Sequence, residues 1–247
     1  MSGAFAWGVI ASSSLLIGGL IVMWKQVQQK TLGLIMAFGA GVLISAVAYE
    51  LIADALEGGI GTGRVALGLF AGALTFFLGD LLIDRMGGDN RKRSKGTGTD
   101  GDGSSTSLTL GIVLDGIPES ITLGLTLLAG QGVSAAMLAA IFLSNLPESM
   151  AATTGFQKDG RSRDWVIKLW LGIIAVSGVA SLAGYTLFDD ASPATIAFVL
   201  AFAGGAVLTM LADTMMPEAF EYGGKLVGLL TTFGFAVSLA IIALENA

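Results

Sequence analysis

Eight stretches long and apolar enough to cross a bilayer alternate with short polar connections along the chain, at residues 4–23, 32–51, 65–83, 108–128, 133–155, 166–188, 195–216 and 226–244. A helical span needs about 20 mostly apolar residues. The pattern therefore predicts an all-α polytopic membrane protein, one transmembrane domain over residues 1–247 with eight helices. The third stretch is the least clean, because Asp80 and Asp84 interrupt its end. Beyond it the pattern breaks altogether: residues 85–107 are rich in Gly, Ser, Thr and Asp behind a basic cluster, the composition of a flexible, solvated cytoplasmic loop. A metal-sensing role for that loop would want histidine, and the chain has none.

Lysine and arginine orient the spans, because cytoplasmic connections carry the excess of them. Alternate connections hold Lys25 and Lys30; Arg85, Arg91, Lys92, Arg93 and Lys95; Lys158, Arg161, Arg163 and Lys168; and Lys225. These are twelve of the thirteen basic residues, and the opposite side has Arg64 alone. That asymmetry supports eight spans with both termini extracytoplasmic. The first apolar run lacks the basic flank of a signal peptide and reads as a retained span.

Two internal repeats cut across the apolar pattern. Leu114-Asp115-Gly116-Ile117-Pro118-Glu119-Ser120 recurs 29 residues on as Leu143-Ser144-Asn145-Leu146-Pro147-Glu148-Ser149. A second repeat, offset by 164 residues, aligns Gly41–Ser45 and Glu50–Ala55 with Gly205–Thr209 and Thr214–Ala219. It links spans two and seven, which run oppositely through the membrane. A 3+2+3 arrangement with an inverted repeat follows, the plan of alternating-access carriers.

The first repeat carries the chemistry. Asp115 and Glu119 are four residues apart, as are Ser144 and Glu148, and Asn145 precedes Glu148 by three, so each set shares a helical face. A helical proline leaves the carbonyl four residues back without its donor, here Leu114 and Leu143. No lysine or arginine lies at comparable depth in any span. Unpaired carboxylates there cost several kcal/mol each, so they must be protonated or neutralised by a bound cation. The competing reading is helix glue, with Glu119 and Glu148 protonated and hydrogen-bonded across the two spans, although such glue is usually Ser, Thr, Asn or Gln. Ser144, Asp213, Glu218 and Glu50 are further candidates for metal or pathway; the last three can equally be interfacial acids facing water. Asp80 and Asp84 read as helix-end charges, and Met210 and Met215 as packing.

Composition narrows the chemistry. The chain has 53% hydrophobic and 13% charged residues, no cysteine and no histidine, and its mean hydropathy is +0.78. Thiolate sites, disulfides and serine–histidine catalysis are excluded. A sequence pI near 4.6 argues against nucleic acid as a partner. A diaspartyl protease would want Gly-x-Gly-Asp, and Phe77-Leu78-Gly79-Asp80 is not that. No phosphate-binding loop is present. The chain is not expected to be an enzyme or to carry an organic cofactor.

On these motifs the sequence resembles the Zrt/Irt-like (ZIP) family of divalent-metal transporters across essentially its whole length. The family's paired motifs read roughly His-Asn-x-Pro-Glu-Gly and His/Gln-Asp/Asn-x-Pro-Glu-Gly, and Asp213–Ala219 looks like its acidic-x-apolar-Pro-Glu-Ala segment. The resemblance implies a mid-membrane metal site, often binuclear, with Glu119 and Glu148 as shared ligands. Asp115 stands where the family has histidine, Asn145 where it has Asp or Asn, Ser144 where it has His or Gln, and Gly116 replaces an asparagine ligand. It also implies one helix bundle sliding against another, and a homodimer. Oxygen-only donors suit Mn, Mg or Ca better than imidazole sites do, so a weaker zinc preference is expected, and a single site because Gly116 deletes a ligand.

The function expected is transport of divalent metal (Zn, Mn, Fe or Cd) into the cytoplasm by alternating access, through a site of Asp115, Glu119, Asn145 and Glu148. The partners are the metal ions and the lipid bilayer, and the location is the plasma membrane of a prokaryote. The alternative is a sensor or partner subunit of the same fold that binds metal or protons without transporting them.

Overall fold

Each apolar stretch folds into helix, because in hydrocarbon every backbone N–H and C=O must find its partner within the segment. A computed structural model describes residues 2–59, 63–85, 102–129 and 133–245. Among these, ten α-helices and no strands occur. They are α1 Ser2–Trp24, α2 Gln29–Ala46, α3 Ala53–Gly59, α4 Arg64–Arg85, α5 Asp102–Thr126, α6 Ala135–Lys158, α7 Arg163–Leu187, α8 Pro193–Met210, α9 Met216–Gly223 and α10 Val227–Glu245. Serine hydroxyls cap three of them, Ser134, Ser162 and Ser192 accepting from the backbone N–H of Met137, Trp165 and Thr195 at 3.0, 3.2 and 3.2 Å. Such caps satisfy donors that the first helical turn cannot.

Among the described residues, seven helical stretches are long and apolar enough to cross a membrane. The last of them, Pro193–Glu245, runs 53 residues. A straight helix of that length would be about 80 Å long, more than twice the hydrocarbon thickness. The stretch turns at Gly224, whose φ of 64° lies in the left-handed region that glycine adopts without penalty.

The expected loop at 85–107 needs one correction. Most of it, residues 86–101, lies outside the described residues, Arg91, Lys92, Arg93 and Lys95 among them, but residues from Asp102 onward are already helical as the start of α5. Thr109 donates to the Ser105 carbonyl at 2.8 Å, and Ser105 donates to Asp159 at 2.8 Å, tying that first turn to the end of α6.

The 164-residue offset recurs in the helix boundaries. α2 spans Gln29–Ala46 and α8 spans Pro193–Met210, each boundary 164 residues from its counterpart. Both then pass through a π-helical turn, Val47–Ile52 and Leu211–Met215, before α3 and α9 end at Gly59 and Gly223. The packing repeats as well. α2 lies along α10, and α4 lies along α8. A Cβ on Gly41 would overlap the Thr231 carbonyl oxygen of α10, and one on Gly205 would overlap the Leu69 carbonyl oxygen of α4. Without a hydrophobic force between helices in lipid, such close backbone approach is what holds helix pairs together.

Packing divides the helices into two groups. α1, α5, α6 and α7 lie on one another, and so do α2, α3, α4, α8, α9 and α10. The groups meet chiefly where α6 lies on α2 and α5 on α8, with α6 also touching α10. The stretch Gln29–Gly59 is central, 67% of its most apolar window being buried, against 28% for α4. The outer face of α4 exposes Leu67, Phe70, Leu74 and Leu78, the side chains expected against lipid.

Candidate metal centre

Both Pro-Glu motifs lie inside unbroken helices, Pro118 within α5 and Pro147 within α6. The chain stays helical through both prolines; the local irregularities are the two π-turns instead. On α5, Asp115 and Glu119 are buried, 5% and 2% exposed, one turn apart on the same face. They are close enough for their carboxylates to act on each other electrostatically. The Glu119 Oε2 has no hydrogen-bond partner among the described residues. A buried oxygen of this kind is costly, and buried polar atoms in native structures are nearly always satisfied by protein, water or an ion.

On α6, Ser144 and Asn145 are buried and Glu148 is half-buried. Ser144 spends its hydroxyl hydrogen on the Ile141 carbonyl at 3.1 Å, which leaves its lone pairs as the donor set it can still offer. Thr122 does likewise to the Pro118 carbonyl at 2.8 Å, and Ser149 to the Leu146 carbonyl at 2.9 Å. Ser144, Thr122 and Ser149 thus spend their hydroxyls on carbonyls of their own helices, Ser149 also reaching the Ser14 carbonyl of α1 at 3.5 Å.

The structure brings Asp115 and Glu119 together on α5. Among the described residues no three acids converge closely enough to form a ready-made cation cage. Glu50 is half-buried in the first π-turn, where it faces the Ser134 hydroxyl, with Asp54 and Glu245 within electrostatic range. Glu218 is half-buried in α9.

Asp213 has company that the sequence reading missed. A cavity of about 250 Å3 is lined by Phe77, Asp80, Leu81, Asp84 and Asp213. Asp80, read from sequence as a helix-end charge, is only 5% exposed. Asp80 and Asp84 repeat the four-residue spacing of Asp115 and Glu119. That spacing was the available signal; the partner across the cavity, on the π-turn after α8, was not visible from it. Met210 and Met215 are buried in the core, as their reading as packing residues expects.

No family model matches the chain. It is 25% identical over 208 residues to a protein of Arabidopsis thaliana whose name makes it a candidate zinc transporter, a match covering 83% of this chain and 32% of the plant protein. The chain thus spans about a third of that relative's length. It is 23% identical, over an alignment of 326 positions, to zinc transporter ZIP11 of Homo sapiens, covering 96% of this chain and 94% of the human protein.

Proposed function

We propose that this chain is a carrier of divalent metal cations of the ZIP kind, an integral membrane protein and not an enzyme. The observation that carries the reading is the Asp115–Glu119 pair, two carboxylates buried side by side on an apolar helix with Glu119 Oε2 unsatisfied among the described residues. Two like charges at that depth are tolerated only when a cation or protons compensate them. The two zinc transporters to which the chain is similar support the metal as cargo.

In this reading Asp115 and Glu119 of α5 bind the ion together with Glu148 and Asn145 of α6, Ser144 and water filling the remaining positions. The dispersed acids match a carrier better than a storage site, since a cargo site must release what it binds. The cavity of Asp80, Asp84 and Asp213 would then lie on the exit path, and Glu50 at the opposite mouth. Eight spans follow if Pro193–Glu245 crosses twice around Gly224. The matching boundaries of α2–α3 and α8–α9 support a 3+2+3 plan with an inverted repeat, and the two helix groups support alternating access by movement of one against the other. Extracytoplasmic termini, inward transport, a homodimer and a prokaryotic plasma membrane complete the reading as the sequence implies it, although both relatives are eukaryotic.

The test is uptake of zinc, manganese, iron(II), cobalt and cadmium into proteoliposomes. With oxygen donors alone, manganese uptake is expected within about tenfold of zinc, because carboxylate and carbonyl ligands favour zinc less than imidazole does. Strong zinc selectivity would sink the weak-preference part. Absence of uptake of every metal, with binding seen in equilibrium dialysis, would hand the chain to the sensor reading.

Gly116 offers a gain-of-function check. A Cβ there meets nothing within 4 Å, and position 116 shares a helical face with Glu119 three residues on, as Asn145 does with Glu148. Gly116→Asn should fold as well as the wild type, since asparagine also has the higher helix propensity. It should strengthen metal binding by about tenfold, roughly 1.4 kcal/mol, read by dialysis with zinc and manganese. Unchanged affinity in a folded variant would place residue 116 away from the ion.

A further inference from the structure

Helix α6 carries Ser144, Asn145 and Glu148, and its N-terminus is held from outside its own helix group. The Glu245 carboxylate, at the end of α10, accepts from the Ala135 N–H through Oε1 and from the Ala136 N–H at 3.4 Å through Oε2. These are two of the four donors that a helix N-terminus leaves open, and a carboxylate there also meets the positive end of the helix dipole. Ser134 caps the same turn by accepting from Met137, and Glu50 from the π-turn after α2 faces the Ser134 hydroxyl. Two acids from the α2–α10 group thus grip the first turn of α6, which belongs to the other group.

We infer that Glu245 is a latch: its carboxylate, seated across the first amides of α6, closes the end of the molecule where α6 begins, and the two helix groups part there only when it lets go. This rests on the carrier reading above, in which movement between the groups exposes the α5–α6 site to each side in turn. The placement suits that task. Glu148 lies thirteen residues in from Ala135, about 20 Å at the helical rise, so the latch sits at the rim rather than at the ion. The contact is also polar and charge-assisted, joining the groups at one point of their boundary and able to exchange with water when it breaks.

The chain lacks cysteine, so the test uses single cysteines and a polar maleimide on the full chain in detergent, which makes it independent of membrane orientation. Ala140→Cys reports the latched end of α6, and Ala152→Cys the far end; both native side chains are buried, 0% and 3% exposed. Adding Glu245→Ala should speed labelling at position 140 by about tenfold, the effect of roughly 1.4 kcal/mol on an opening equilibrium, and leave position 152 unchanged. Glu245→Gln, which keeps an acceptor oxygen without the charge, should fall between. Equal acceleration at both positions would show general loosening and overturn the latch. No acceleration at 140 would overturn it too. Neither readout needs metal or transport, so a failure of uptake in proteoliposomes would strike the carrier reading and leave the labelling result to judge the latch.

Discussion

Glu119→Gln folds normally and loses metal uptake, falling by about 100-fold or more to the background of empty liposomes. The expectation follows from charge. Glutamine keeps the shape of the side chain and its capacity to hydrogen-bond, so α5 loses no packing where residue 119 is 2% exposed. What disappears is the negative charge that would repay a cation for its lost water. Removal of an outer partner of a metal ligand already costs 10–100-fold in affinity in typical sites, and loss of the ligand itself should cost at least as much. At about 1.4 kcal/mol per tenfold, 100-fold corresponds to about 2.7 kcal/mol. Glu148→Gln should behave the same way, while Asp115→Asn should lower apparent affinity with a smaller loss of maximal rate, since Glu119 retains its charge.

The same pair of variants separates the carrier from helix glue. If protonated glutamates merely tied α5 to α6, glutamine would serve as well or better, being a neutral donor and acceptor that costs nothing to bury in a satisfied pair. Uptake would persist and melting temperature would hold or rise. Proteoliposome uptake of zinc and manganese, beside thermal unfolding of the purified variants, reads both outcomes. Full uptake by Glu119→Gln with intact folding would remove Glu119 from the metal path.

The acids at the candidate site were legible because a carboxylate inside an apolar run violates the surrounding pattern, and its neighbours at three and four residues fall on one face whatever the tertiary structure does. That the chain is all-helical with long apolar stretches was legible for the same local reason. Helix ends were less so. The expected span at 32–51 sits within a helical stretch that runs from Gln29 to Gly59, because α2 continues through a π-turn into α3, and a π-turn leaves no mark in hydropathy. The start of α5 was missed because Asp102 to Ser107 is polar, and composition cannot distinguish a solvated helical turn from a loop when a tertiary bond such as Ser105 to Asp159 decides it. Contacts between distant segments were not legible at all. Asp80 faces the same cavity as Asp213 because α4 packs on α8. Glu245 and Ala135 are 110 residues apart, and nothing in either local sequence names the other. The 164-residue repeat lies between these extremes. Its residues were readable, but that both copies break at the same place emerged only with the backbone.

That repeat makes the second large prediction, because it depends on glycines at which the backbones of paired helices touch. Gly41→Val should leave little or no folded protein. A Cβ at Gly41 would overlap the Thr231 carbonyl oxygen and crowd the Phe235 backbone nitrogen at 2.9 Å. These obstacles are main chain, so no side-chain rotation can relieve them, and α10 would have to retreat along its contact with α2. Overpacking of a deformable core costs about 1–3 kcal/mol; a rigid backbone obstacle should exceed that range and take most of the stability of a typical domain with it. The counterpart Gly205→Val should fail in the same way against the Leu69 carbonyl oxygen of α4. The control is Gly172→Val on α7, where a Cβ meets nothing within 4 Å and where the helix would gain rather than lose intrinsic propensity. Size-exclusion profiles and melting temperatures of the three variants, expressed in parallel, decide the matter. Monodisperse, wild-type-like Gly41→Val and Gly205→Val would mean that α2 and α8 do not meet α10 and α4 backbone to backbone. α2 with α10 and α8 with α4 would then lose the close packing that the 164-residue repeat shares.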